Sequence, residues 1–152
     1  MSMLALSESE CQEILALFRQ HLPHVPDAWL QELAANYGQD AIKDIDPNDV
    51  IAILAVPGEL HRIQMSLAEH QLPEEIYRRM LDERIARDIE PWKTSASMLT
   101  IHDSSAKLAD VSDLIGRLVG SDPETVTKGW AWYSHTPLEK SNELIWFVIE
   151  ER

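Results

Sequence analysis

Apolar side chains recur every three to four positions through much of this chain, the spacing of a buried helical stripe. In SESECQEILALFRQHL, residues 7–22, Cys11, Ile14, Leu15, Phe18 and Leu22 share one side behind Ser and Glu capping candidates. HLPHVP interrupts the pattern. DAWLQELAANYG at 27–38 resumes it, with Asp27 as N-cap, Gly38 as the stop, and Trp29, Leu30, Leu33 and Tyr37 inward. PGELHRIQMSLAEHQ, residues 57–71, places Leu60, Ile63 and Leu67 at helical spacing. PEEIYRRMLDERIARDIE, residues 73–90, carries a stripe of Ile76, Met80, Leu81, Ile85 and Ile89. Its pairs Glu74–Arg78, Glu75–Arg79 and Glu83–Arg87 contribute about 0.2–0.5 kcal/mol each, so the stripe decides the element.

PWKTSASMLTIHDSS at 91–105 lacks the helical period and predicts at most a short strand at Met98–Ile101. SAKLADVSDLIGRLVG returns to a helix, with Leu108, Val111, Ile115 and Leu118 inward and Gly120 ending it. The last thirty residues support two readings. Thr136, Pro137 and Glu139 form a capping signature that predicts a helix over 136–151. LIWFVI and GWAWYS are rich in β-branched and aromatic residues, which favours a hairpin of 129–135 with 143–150. The expectation is a mainly α, single-domain helical bundle over residues 1–152, with the short C-terminal β-hairpin as the alternative that would make it α+β.

Composition adds the sign of the charge. The chain has 26 acids, 13 bases and a formal net charge of −13. That argues against direct nucleic-acid binding, where basic residues must replace counterions, and against anionic membrane surfaces. Cys11 is the only cysteine, so no internal disulfide can form and a reducing, cytoplasmic setting is expected. The opening MSMLALSESE has no basic n-region and does not read as a signal peptide. The longest apolar run, VIAILAV at 50–56, falls far short of the roughly 20 residues that span a bilayer.

The acids are unevenly placed. Residues 27–49 hold Asp27, Glu32, Asp40, Asp44, Asp46 and Asp49 against Lys43 alone, a net of −5. Asp44, Asp46 and Asn48 match positions 1, 3 and 5 of a calcium loop, but Asp49 stands where its glycine belongs and Ala55 where its bidentate Glu belongs. A helix start explains the same residues better. Asp46 is the N-cap, Pro47 the first helical residue, and Asp49 faces the free N–H groups and the positive end of the dipole.

Candidate chemistry is sparse. His21 and His24 are three apart without further zinc ligands, and His61 and His70, with Glu59 and Glu69, lack the di-iron E-x-x-H spacing. His102, Asp103, Ser104 and Ser105, like Ser134 and His135, are adjacent in sequence, whereas triad members converge from separate segments. Cys11 lies on an apolar stripe and reads as packing rather than nucleophile. No P-loop, G-x-S-x-G or dinucleotide fingerprint occurs. Trp130, Trp132 and Tyr133 in GWAWYSH cannot all face one local core, so at least one should be an outward anchor.

The expected function is therefore a non-enzymatic acidic interaction module of the inhibitor, immunity or adaptor kind, binding a basic protein surface. Its expected contact residues are Asp40, Asp44, Asp46, Asp49, Trp130, Trp132 and Tyr133, with no cofactor and no metal. The alternative is a helical ligand- or metal-binding domain using histidines such as His21, His24, His61 or His102.

Overall fold

The computed structural model describes residues 5–68, 71–103, 106–121, 126–133 and 142–151. Helix α1 (Glu8–His21) starts at a reciprocal capping box: Ser7 Oγ accepts from the Glu10 N–H and Glu10 Oε1 from the Ser7 N–H, both at 3.2 Å. Helix α2 (Asp27–Asn36) follows, tied to α1 by a bidentate Arg19–Asp27 pair at 2.8 and 3.0 Å. Strand β1 (Ala41–Lys43) precedes helix α3 (Pro47–Leu54). Here the acidic stretch is a helix start, with Asp46 Oδ1 accepting from the Asn48 N–H at 2.8 Å.

Next come strand β2 (Glu59–Ser66), helix α4 (Pro73–Ala86), a short 3₁₀ turn at Pro91–Lys93 and strand β3 (Thr94–His102). Helix α5 (Leu108–Ser121), strand β4 (Thr127–Tyr133) and strand β5 (Glu143–Glu150) complete the chain. The strands form one mixed sheet in the order β1-β4-β3-β5-β2. β3 and β4 run parallel, joined through α5, and the other neighbours are antiparallel. Residues from α1, α2 and α3 pack on one face with Met98, Ala131, Tyr133 and Phe147. Residues from α4 and α5 pack on the other with Leu99, Trp132, Leu144 and Trp146. The result is a helix–sheet–helix sandwich.

This α+β architecture overturns the all-α helical bundle. The helix expected over 57–71 is β2, because Ile63, Met65 and Leu67 also fit an alternating pattern. Pairing with β5, from Glu59 opposite Glu150 to Ser66 opposite Glu143, settles which pattern is used. The helix expected over 136–151 is replaced by β5 from residue 143, the capping residues Thr136, Pro137 and Glu139 lying outside the described residues. Residues 143–149 are all buried, so β5 shows the continuous apolar run of a strand covered on both faces rather than an alternation. The hairpin of 129–135 with 143–150 is also corrected. Both strands exist as β4 and β5, but β3 lies between them, and residues 134 and 135 lie outside the described residues.

The stripe expected on α4 is kept at Met80 and Ile89, with Ile76 and Leu81 half-buried, and fails at Ile85. Met80 and Arg84 are its buried side chains within the helical turns, whereas Ile85 is 75% exposed. Arg84 is 1% exposed, with its guanidinium 4.8 Å from the Trp146 ring centroid and Nη2 donating to Thr94 Oγ1 at 3.0 Å. On α5, Val111, Leu114 and Leu118 face inward and Leu108 is exposed. Among the described residues no helix is long and apolar enough to cross a membrane.

Candidate functional site

Asp46 and Pro47 start α3 beside the short strand β1, and among the described residues β1 pairs only with the end of β4, at Trp132 and Tyr133. Among the described residues, Thr127–Ala131 of β4 therefore pair on the β3 side alone. A surface depression of about 400 Å³ lies along this open edge, bordered by Asp44, Asp46 and Asp49 on one side and Lys128, Gly129 and Trp130 on the other. The fold thus joins two sequence-expected features, the acids and one aromatic of the C-terminal cluster.

Lys43 sits between them. Its Nζ donates to the Trp130 carbonyl at 2.7 Å and lies 4.5 Å from the centroid of the Trp130 ring. Burial lowers the ammonium pKa, and the Asp44 and Asp49 charges offset that in part. An ammonium held by a carbonyl and an indole face, in the field of two carboxylates, makes a lysine cradle filled here by the chain's own residue.

The expected contact residues divide by role. Asp44 Oδ1 accepts from Tyr133 Oη at 3.1 Å and from the Ile45 N–H at 2.9 Å, so this carboxylate also organises the loop. Tyr37 Oη donates to the Ile45 carbonyl at 2.7 Å. Burial first, and then the nearby Asp44 charge, push both phenols above their ordinary pKa, which keeps them neutral donors. Asp46 is exposed but caps α3, and Asp49 is exposed in the first turn of that helix. Asp40 is exposed outside the depression, where Oδ1 accepts from the Ala5 N–H at 3.0 Å.

Trp132 and Tyr133 are buried on opposite faces of the sheet, and Trp130 is half-buried at the margin of the α5-side cluster. Trp132 Nε1 donates to the Asp103 carbonyl at 3.0 Å, and Tyr133 stacks on the buried His102 ring at 5.2 Å. Sequence reasoning left out Lys43, Lys128 and Gly129. The alternation in KGWAWY was the available signal, because it points Lys128, Trp130 and Trp132 to one side of a strand.

The other candidates separate. His21 and His24 are exposed, with His24 Nε2 2.9 Å from the Leu54 carbonyl oxygen. Cys11 is half-buried, and burial followed by Glu10 and Glu8 raises its thiol pKa, the reverse of nucleophile activation. His70, Ser104, Ser105, Ser134 and His135 lie outside the described residues. A cavity of about 300 Å³ beyond the end of β3 is bordered by Asp103, Lys107 and Asp110. A groove of about 530 Å³ separates parts of α1 and α2. One group of side chains has metal-ligand spacing among the described residues: Glu59, His61 and Glu150.

No family model and no curated protein matches this sequence. Solved structures do share its fold. An FtsZ dimer from M. jannaschii in an empty form superposes with a TM-score of 0.63 at 14% identity, covering 88% of this chain and 42% of that one. A point mutant of FtsZ from the same organism gives a TM-score of 0.56 at 13% identity, covering 88% and 43%. This chain spans less than half the length of either FtsZ chain. The likeness shows the fold, and it agrees with the mixed sheet in overturning the helical bundle.

Proposed function

We propose that this protein is a non-enzymatic acidic interaction module that takes a basic, extended segment of a partner protein along the open edge of β4. The carrying observation is the convergence of Asp44, Asp46, Asp49 and Trp130 on one depression beside strand residues that, among the described residues, have a neighbour on one side only. An added strand would draw affinity from main-chain hydrogen bonds and specificity from alternate side chains. A lysine of that strand would displace Lys43 from the cradle. The net charge of −13 supports a basic protein partner over a nucleic-acid backbone and would speed encounter at low salt. The single cysteine supports a reducing, cytoplasmic setting.

The test is calorimetric titration with an extended peptide alternating Lys and Thr, at two salt concentrations. Binding should weaken with salt and in Asp49→Lys, and should disappear in Trp130→Ala. Lys43→Met should bind more tightly than Lys107→Met, which changes the net charge equally but lies away from the edge. No binding by the parent protein, or equal affinities for the two lysine variants, would overturn the reading. The second reading, ligand or metal binding through histidine, rests on the opposite edge of the sheet.

A further inference from the structure

Strand β2 is the far edge of the sheet, and its spacing E-x-H puts Glu59 and His61 on one face because successive side chains alternate. Register places Glu150 of β5 directly opposite Glu59. His61 Nε2 lies 3.9 Å from Glu59 Oε1 and 3.8 Å from Glu150 Oε1, and one ligand atom from each residue falls within 4.8 Å of the others. The His61 side chain is 15% exposed, and Nε2 is buried without a hydrogen-bond partner among the described residues. Two carboxylates directly opposite each other repel, so the corner is arranged for a positive charge.

We propose that Glu59, His61 and Glu150 bind a divalent first-row transition metal ion, with zinc as the reference case. One imidazole and two carboxylates are zinc-type donors, whereas calcium and magnesium favour all-oxygen shells. Donors about 2.0–2.1 Å from a tetrahedral ion stand roughly 3.4 Å apart, so the two separations from His61 Nε2, 3.9 and 3.8 Å, close by about half an ångström. Glu59, whose side chain is 54% exposed, closes its own gap by moving, and a small rotation of the His61 ring closes the gap to Glu150. Glu150 is held in place: its Oε2 accepts from the Glu90 N–H at 3.1 Å while Oε1 faces the imidazole. The neighbouring Lys93 ammonium is engaged by Glu90 at 3.1 Å. Three protein donors beside an exposed edge leave the fourth position to water, the arrangement of a ligand-exchanging rather than a closed structural site. This site does not depend on the β4 edge.

Titration of chelator-treated protein with zinc chloride, followed by calorimetry and by the His61 imidazole signals in NMR, tests the assignment. One equivalent should bind and shift the His61 resonances. His61→Asn and Glu59→Gln should each weaken binding at least tenfold, and His24→Asn should not. Glu59 is exposed, so its variant isolates ligation from folding. Absence of binding, stoichiometry spread over several weak sites, or undiminished affinity in Glu59→Gln and His61→Asn would overturn the site.

Discussion

The two edges of the sheet both gather carboxylates but treat them differently. At the β4 edge, Asp44 receives the Tyr133 hydroxyl and Lys43 supplies a cation from within the chain. At the β2 edge, the His61 Nε2 atom lies 3.9 Å from the Glu59 carboxylate and 3.8 Å from that of Glu150, buried and with no hydrogen-bond partner among the described residues. The first edge answers part of its charge from within the chain, and in the proposed function a partner's lysine would replace that cation. The second is left to be completed by an ion. The comparison teaches that an acidic cluster is informative only once its internal partners are counted.

Each edge also rests on a glycine, and substituting it separates the two. Gly58 has φ 144°, and an added Cβ would strike the Glu150 carbonyl oxygen and stand 2.8 Å from Ile149 Cγ2. Gly58→Ala should therefore cost about 3 kcal/mol, measured by urea unfolding, because backbone cannot move aside cheaply. The same change should loosen the Glu59–Glu150 corner.

Tyr133→Phe tests internal satisfaction at the other edge. It removes a donor to the Asp44 carboxylate and should cost about 2 kcal/mol in the same assay, as expected for a hydrogen bond to a charged group. Gly129→Ala should cost less, about 1 kcal/mol, because its Cβ would meet the movable ends of Ile45 and Ile53 at 2.6 and 2.7 Å. If Gly129→Ala proved as damaging as Gly58→Ala, the contrast between a yielding and an unyielding edge would fail.

The smallest effect belongs to a surface pair away from both edges. Hydrogen bonds from Arg19 and then Gln31 lower the Asp27 pKa to about 2 from its ordinary 3.8. A depressed carboxylate stabilises the fold fully above its unfolded pKa and loses that contribution as pH falls through the folded value. Stability curves of the parent and Arg19→Gln should therefore converge as pH falls from above 3.8 through about 2. Because both groups are exposed, the separation at neutral pH should be slight.

How much of this was legible varies by element. The α1 and α2 stripes, with buried Leu15, Phe18, Leu30 and Leu33, could be read from periodicity, as could the Asp46–Pro47 start of α3. Met80 and Ile89 could be read as well, but the burial of Arg84 could not, because that side chain enters the core only where Trp146 and Thr94 receive it. The acids of the β4 edge were visible, and so was Trp130, but their adjacency was not.

By itself the sequence determined the capped helices, since a Ser7–Glu10 box or an Asp46 cap is formed by residues three or fewer positions apart. Tertiary structure alone decided that residues 59–66 are a strand, that β3 separates β4 from β5, and that Trp132 and Tyr133 are buried on opposite faces. It also brought Glu150 to Glu59 and Trp130 to Lys43. The physical reason is that strand pairing draws its stability from neighbours distant in the chain, so an apolar segment's period is settled by the partner it pairs with.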